Sequence, residues 1–250
     1  MKFLKMLYRF SLLLKDQFGF NIFLIIQKLV VFSIEYIRYQ SLNRNINFSA
    51  SLYDLLPLLS DKTSITPLDP VYFYQDCWAA QKIFQTKPGH HYDVGSSAKT
   101  IGILSQFVPI TMVDIRPIEL KLNDLFFEKG SITQLPFESN TIESISSLCV
   151  VEHIGLGRYG DPLDQFGSEK AISELIRVTK PGGSIYFSVP IEDKNKVYFN
   201  GHRAFEQAYI KNLFNGCSLI EEKYINDDKY EAEYKKSKGF SIGLFMFTKN

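Results

Sequence analysis

The chain has 250 residues, of which 45% are hydrophobic and 22% are charged. This length and composition are typical of a globular protein with a sizeable core and exclude disorder as a main feature. The formal net charge is only +1, so RNA and DNA are not expected as partners. Cys77, Cys149 and Cys217 form no C-x-x-C pair, which argues against a disulfide framework and a zinc site and favours a reducing compartment.

Residues 1–48 differ from the rest of the chain, because seven basic and two acidic residues stand among many Phe, Leu and Ile. From Gln17 the polar residues recur at steps of four and seven, which predicts an amphipathic helix with a very wide apolar side. Residues 19–38 could cross a bilayer as a helix, but Gln27 and Lys28 lie near the middle, where a charge costs roughly 2.5–3.5 kcal/mol. Crossing is therefore disfavoured, and no secretory cleavage pattern follows.

Two interpretations of this helix stay open. It could lie in the interface of a cytoplasmic membrane leaflet, or it could pack on the main domain or on a second copy of the protein. The chain is predicted to be cytoplasmic, and the first interpretation adds peripheral binding to the inner face of the membrane. The predicted organisation is a helical extension at 1–48, a linker with one short helical turn at 49–68, and a main domain at 69–250.

The main domain opens with the pattern of a nucleotide site. A strand leading to Asp93, a turn at Gly95 and a helix over residues 98–107 would place free N–H groups and a positive dipole end beside a ligand. A second strand ends at Asp114, 21 residues after Asp93, where an acidic side chain binds ribose hydroxyls. The full G-x-G-x-x-G pattern is absent, so a nucleoside ligand without phosphates fits better than a dinucleotide.

The remaining periodicity alternates between strands and helices. Helices are predicted from Pro70 through Phe84, over 168–180 and over 205–215, and further strands at 125–129, 142–151, 185–189, 219–225 and 242–248. This alternation predicts a parallel sheet with ligands at the carboxyl ends of its strands. The charged stretch 227–238 is predicted to be a solvated loop. His90 and His91 are not expected to bind metal, because no third ligand is placed near them; one should pack and the other should be solvated.

Several motifs carry a resemblance to a known family. D-V-G-S-S at 93–97, V-D-I at 113–115, G-S-I-T-Q-L-P-F at 130–137, V-V-E-H-I at 150–154 and R-V-T-K-P-G-G at 177–183 resemble class I S-adenosylmethionine-dependent methyltransferases. The resemblance covers the chain from about Asp69 to its end. It implies an α/β, Rossmann-like, mostly parallel seven-stranded sheet with an antiparallel C-terminal strand, and S-adenosylmethionine as the cofactor. Residues 72–80 and 150–162 also resemble a bacterial methyltransferase-like family associated with surface-polysaccharide synthesis.

The resemblance implies roles for individual residues. Asp93, Gly95 and Ser96 would border the methionine part of the cofactor, and Asp114 would hold the ribose hydroxyls. Ser131 and Ile132 would meet the adenine edge, where many relatives have an acidic residue in place of the serine. Residues in the later loops could line the acceptor pocket, namely Arg158, Tyr159, Asp161, His202 and Arg203.

Glu152 and His153 follow the fourth predicted strand, beside the expected position of the methyl group. A histidine that titrates near neutrality suits removal of a hydroxyl proton, so His153 is a candidate general base with Glu152 as its neighbour. The alternative is structural, with His153 capping the loop and Glu152 binding a backbone N–H. No metal is required. Two functions remain: a methyltransferase acting on a glycan or its lipid- or nucleotide-linked precursor, and a catalytically silent Rossmann-like module that acts through membrane or protein contacts.

Overall fold

The computed structural model describes residues 21–42, 45, 47–48, 50–235 and 241–250. The chain divides into two compact units, Met1–Pro67 and Leu68–Asn250. Gln17, where the predicted polar stripe begins, lies outside the described residues.

The first unit contains one long helix, α1, at Ile22–Ser41. The Asn21 side chain caps it by accepting a hydrogen bond from the backbone N–H of Leu24 at 3.2 Å. After α1 the chain returns toward the helix, and the Tyr36 hydroxyl donates to the carbonyl of Ala50 at 3.1 Å. The short helical turn expected in the following segment is a 3₁₀ turn at Leu52–Asp54. Among the described residues, none of the helices combines the length and the apolarity that a membrane span requires.

The second unit is built on a mostly parallel sheet. Its strands in chain order are β1 (His91–Val94), β2 (Ile110–Asp114), β3 (Leu125–Lys129), β4 (Ile142–Leu148), β5 (Thr179–Ile191), β8 (Cys217–Asn226), β9 (Lys229–Glu231) and β10 (Ser241–Lys249). The described strands are ordered β3-β2-β1-β4-β5-β10-β8-β9, and the first five are parallel. β10 runs antiparallel to both β5 and β8, so the predicted Rossmann-like α/β fold is confirmed. The described sheet has eight strands, one more than the seven predicted.

The edge strand β9 corrects one detail of the sequence analysis, which predicted a solvated loop over 227–238. Lys229–Glu231 pairs with the end of β8 instead. The aromatic side chain of Tyr230 explains the difference, because its ring centroid lies 4.8 Å from that of Tyr74. Its hydroxyl also donates to the Tyr74 carbonyl at 2.5 Å. The ring contact and this hydrogen bond together anchor a segment that composition alone describes as charged.

Helices cover both faces of the sheet. α2 (Pro70–Thr86) and α3 (Ala98–Leu104) pack on one face around a core that includes Trp78, Ile83 and Ile101. α4 (Gly167–Val178) and α5 (Gln207–Leu213) cover the other face around Leu175, Phe187 and Phe214. α2 begins where its sequence predicts, because Asp69 accepts from the N–H groups of Val71 and Tyr72 and Pro70 occupies the first helical position. A separate hairpin, β6 (Lys196–Tyr198) and β7 (His202–Ala204), follows β5.

A buried network of hydrogen-bonded side chains connects His91, at the start of β1, to Asp93. His91 is fully buried, with Nδ1 2.7 Å from the Ser144 hydroxyl and Nε2 2.9 Å from the Ser146 hydroxyl. Burial lowers the pKa of His91 to about 3, so the ring is neutral at pH 7. Ser146 in turn donates to Asp93 at 2.5 Å. His91 therefore packs, whereas His90 is half-buried with its Nε2 2.8 Å from the Thr111 hydroxyl.

Candidate active site

A cavity of about 210 Å³ opens at the carboxyl ends of β1, β2 and β4. This is the edge of a parallel sheet where ligands are expected. Seven of the residues predicted to form the site line it: Gly95, Asp114, Ser131, Ile132, His153, Tyr159 and Asp161. The other six predicted residues are not in its lining: Asp93, Ser96, Glu152, Arg158, His202 and Arg203.

The turn after β1 depends on Gly95. This glycine has φ +74°, in the left-handed region that side chains rarely adopt. Its N–H donates to the carbonyl of Val113 at 3.0 Å, which fixes the turn against β2. A Cβ added at this position would lie 3.0 Å from Cγ1 of Val150, another residue of the cavity wall. The cavity therefore has its present shape only with glycine at this position.

Asp93 and Ser96 lie beneath this turn, not in the cavity wall where the resemblance placed them. One carboxylate oxygen of Asp93 accepts from the Ser96 N–H at 3.0 Å, and the other accepts from the Ser146 hydroxyl. The Ser96 hydroxyl accepts from the N–H of Leu148 at 3.0 Å, which connects the turn to β4. Burial raises the pKa of Asp93 to about 6. Both residues shape the Gly95 turn from below.

Asp114 is the last residue of β2 and lies in the cavity wall. Its Oδ1 accepts from the backbone N–H of Arg116 at 2.8 Å, which fixes the carboxylate at the strand end. Ser131 follows β3, and its hydroxyl lies 2.9 Å from that of Thr133. Thr133 also lines the cavity and was not predicted from the sequence. Hydroxyl and carboxylate groups thus meet at the end of the cavity formed by β2 and β3.

His153 lies on a 3₁₀ turn, Val151–His153, that directly follows β4. The predicted strand over 142–151 ends early, at Leu148, because Cys149 takes φ 52°. His153 Nδ1 lies 2.7 Å from the carbonyl oxygen of Gly201 in the β6–β7 hairpin. A carbonyl only accepts, so Nδ1 carries the proton and the neutral ring has its free lone pair on Nε2. Burial is the main reason that the pKa of His153 is lowered, which keeps the ring neutral at pH 7.

Glu152 lies behind His153 and is 2% exposed. Its Oε1 is 3.7 Å from His153 Nε2, while Oε2 is buried without a hydrogen-bond partner in the described chain. Burial raises the pKa of Glu152 to about 8, so the carboxyl is mostly protonated at neutral pH. Glu152 therefore lies beside His153 without lining the cavity itself.

The loop over residues 155–162 closes one side of the cavity. Gly155, Gly157 and Gly160 all have positive φ angles. The carboxylate of Asp161 accepts from the N–H groups of Gly155 at 2.6 Å and Tyr159 at 3.3 Å, so it stabilises the loop while lining the cavity.

Arg203 supports this loop from beneath and does not line the cavity, whereas the sequence analysis expected it in the acceptor pocket. Its guanidinium is almost fully buried and donates to the carbonyls of Ile154 and Asp164, the latter at 3.0 Å. It also donates to the Ser168 hydroxyl at 3.1 Å, at the start of α4. His202, also predicted in that pocket, belongs to β7, and its ring centroid is 4.9 Å from that of Tyr198.

Two arginines lie at the cavity mouth around Tyr159. The guanidinium carbon of Arg116 is 4.8 Å from the Tyr159 ring centroid, and that of Arg158 is 5.2 Å from it. Arg116 lines the cavity and was not predicted, although its position two residues after Asp114 is a signal that the sequence contains. Arg158 lies outside the lining and donates to the Gly201 carbonyl at 3.0 Å.

Comparison with protein-family models matches residues 126–248 to a family described as Caenorhabditis protein of unknown function, DUF268. The match covers slightly less than half of the chain and gives no activity. No curated protein has significant sequence similarity to this chain.

Solved structures share the architecture of the second unit. A candidate sarcosine dimethylglycine methyltransferase from Galdieria sulphuraria has a TM-score of 0.55 and 16% identity, with 71% of this chain and 86% of that chain covered. The N-methyltransferase NodS from Bradyrhizobium japonicum WM9 gives a TM-score of 0.52 and 13% identity, with 72% and 97% covered. The second unit has a methyltransferase fold. The [4+2]-cyclase SpnF has a similar TM-score of 0.53, with 11% identity and 69% and 80% covered, so the fold alone does not assign methyl transfer.

Proposed function

We propose that this chain is an S-adenosylmethionine-dependent methyltransferase. The observation that carries the proposal is the single cavity at the carboxyl ends of the parallel strands, which brings together Gly95, Asp114 and His153 from three separate segments. The sequence resemblance implies cofactor binding for Gly95 and Asp114, and the position of His153 after the fourth strand makes it the candidate for proton removal. The similarity to solved methyltransferases supports the fold on which this assignment depends.

The chemistry of the cavity fits this cofactor. The turn at Gly95 leaves room where a side chain would contact Val150, next to the proposed position of the methionine part. The Asp114 carboxylate would accept from the ribose hydroxyls, and Ser131 and Ile132 would contact the adenine. Among the described lining residues, three carboxylates face one arginine, an excess of negative charge that favours a cationic ligand. The carboxylates are those of Asp114, Asp161 and Asp164, and the arginine is Arg116.

His153 is proposed as the general base. When bound, S-adenosylmethionine supplies a methyl group on a cationic sulfur, and the acceptor has to lose a proton as it attacks. His153 is held for this role, because the hydrogen bond from its Nδ1 to Gly201 leaves Nε2 free to take a hydroxyl proton. Glu152, neutral at pH 7 and beside Nε2, adds no charge that would hold the imidazole protonated.

The acceptor is proposed to be a hydroxyl of a sugar, either in a surface glycan or in its lipid- or nucleotide-linked precursor. This part rests on the resemblance of residues 72–80 and 150–162 to a polysaccharide-associated family. An acceptor screen over these sugar classes, scored by transfer of a labelled methyl group, tests it directly. Transfer confined to protein or nucleic acid would overturn the sugar assignment while leaving the cofactor assignment intact.

The role of His153 is tested by substitution. His153→Ala should lower turnover by about 10²–10⁴-fold with S-adenosylhomocysteine affinity retained, because a positioned base contributes that much. His153→Gln should recover little, since it keeps a hydrogen-bonding group without the basicity. The matched control is His90→Gln, which removes a half-buried histidine outside the cavity and should leave turnover unchanged. Near wild-type turnover of His153→Gln would show that the histidine only orients another group.

We also propose that α1 binds an anionic membrane surface at the cytoplasmic side. No residue of α1 is buried, and its apolar side chains include Ile34 at 60% exposure and Ile37 at 68%. Lys28 and Arg38 on the same helix would lie near anionic headgroups. Packing of α1 on protein is the competing outcome.

A further inference from the structure

The mouth of the cavity has a positively charged rim that the proposed chemistry does not use. Arg116 and Arg158 both contact the ring of Tyr159, and all three side chains are exposed. Guanidinium groups match phosphate geometry, because their N–H donors form a planar fork. Exposed guanidinium groups beside a cavity are therefore candidates for binding an anionic part of the acceptor.

Arg158 has unused binding capacity. Within the described ranges no carboxylate lies at ion-pair distance from it, and Nη1 alone is hydrogen-bonded, to Gly201. Two carboxylates of the cavity wall have other partners: Asp161 accepts from two N–H groups of its own loop, and Asp164 binds Lys170 at 2.7 Å. Asp114 is held by Arg116. The Arg158 charge is thus available to a ligand.

The loop presents Arg158 in a fixed position. A Cβ on Gly155 would lie 2.0 Å from the Asp164 carbonyl oxygen, so the two ends of the loop are in direct backbone contact. Asp161 holds the loop from within and Arg203 from beneath. A site on such a support loses little conformational freedom when it binds a ligand.

Arg158 also lies close to the proposed base. Its Nη1 is 3.3 Å from Nδ1 of His153, and both groups donate to the same carbonyl of Gly201. An anion bound to the free edge of this guanidinium would therefore lie beside the proposed base. Such a position suits an acceptor that carries a phosphate ester.

We propose that Arg158, assisted by Arg116, forms a phosphate subsite, and that the methyl acceptor is a sugar bearing a phosphate or diphosphate ester. This inference rests on the proposed function for the reaction, whereas binding of phosphate at the rim is independent of it. Two classes of sugar carry such an ester: nucleotide-linked sugars and lipid-linked sugars.

The binding test uses the full chain and inorganic pyrophosphate as the probe, measured by calorimetry. Wild-type protein should bind pyrophosphate, and Arg158→Gln should weaken the binding by about tenfold or more, as expected for loss of a charge-assisted contact. Arg158→Lys should recover part of it, because lysine keeps the charge without the fork. The matched control is Lys180→Gln, which removes a half-exposed cation at the amino end of β5 and should change nothing. No binding by wild-type protein, or equal binding by Arg158→Gln, would overturn the subsite.

The transfer test separates the two sources. With nucleotide-linked sugars in solution and lipid-linked sugars in vesicles, Arg158→Gln should raise KM for the preferred acceptor about tenfold while kcat and S-adenosylhomocysteine affinity stay near wild type. Equal KM for a phosphate-bearing sugar and its phosphate-free parent would overturn the proposed acceptor class. If no sugar is methylated while pyrophosphate still binds through Arg158, the proposed function fails and the subsite stands.

Discussion

Replacing Glu152 with glutamine tests whether this buried carboxyl is uncharged at neutral pH. Its pKa is raised from the ordinary 4.5 to about 8, chiefly by burial, so the folded protein keeps a proton that the unfolded chain releases. The stabilisation from this proton is complete below pH 4.5 and is lost as the pH rises through about 8. Its size is on the order of 5 kcal/mol, because each pKa unit corresponds to about 1.4 kcal/mol.

The glutamine of Glu152→Gln cannot titrate, so this variant should not lose stability as the pH rises through about 8. Between pH 5 and pH 9 its free energy of unfolding should rise relative to wild type by on the order of 4–5 kcal/mol. Urea unfolding followed by fluorescence of Trp78, the single and buried tryptophan, measures the difference. The control is Glu143→Gln: Glu143 is partly buried and its pKa is lowered mainly by its hydrogen bond to Lys180, so it is charged throughout this range. Parallel curves for Glu152→Gln and wild type would refute a neutral Glu152.

Two further predictions concern the cofactor and the membrane. Asp114→Ala should weaken S-adenosylhomocysteine binding by about 1.5–3 kcal/mol, roughly tenfold to hundredfold, in calorimetry of a still-folded protein, whereas unchanged affinity would remove Asp114 from the site. Ile34→Glu combined with Ile37→Glu should abolish sedimentation with anionic liposomes, because it places charges on the exposed apolar side of α1. Unchanged sedimentation of this double variant would contradict membrane binding through the apolar side of α1.

The sheet could be predicted from the sequence because its central parallel strands are largely buried. β4 and β5 are runs of apolar and small residues, and the resulting periodicity is local. The start of α2 could also be predicted, because the capping residue Asp69 and Pro70 stand next to each other in the sequence at the first turn of the helix. Gly95 and Asp114 could be placed in one cavity because the carboxyl ends of neighbouring parallel strands meet at one edge.

The residues that were misplaced depend on contacts distant in sequence. Arg203 is a loop support because its guanidinium reaches carbonyls about 40 to 50 residues earlier in the chain. The resemblance implied that Asp93 and Ser96 border the cofactor, and no local pattern reveals Ser146, the partner that holds Asp93 beneath the turn. The role of the Gly201 carbonyl in fixing the protonated nitrogen of His153 has no sequence signal, because a backbone oxygen carries none.

The central claim is that the cavity at the carboxyl ends of β1, β2 and β4 binds S-adenosylmethionine, and calorimetry of the full chain with S-adenosylhomocysteine tests it most directly. Wild-type protein should bind S-adenosylhomocysteine at one site, and Gly95→Val should not bind it, because the new side chain would meet Val150. Gly182→Val should still bind, because Gly182 has a similar φ of +77° with nothing within 4 Å of an added Cβ. Absence of binding to folded wild-type protein, or equal binding by Gly95→Val, would show that this cavity is not the cofactor site.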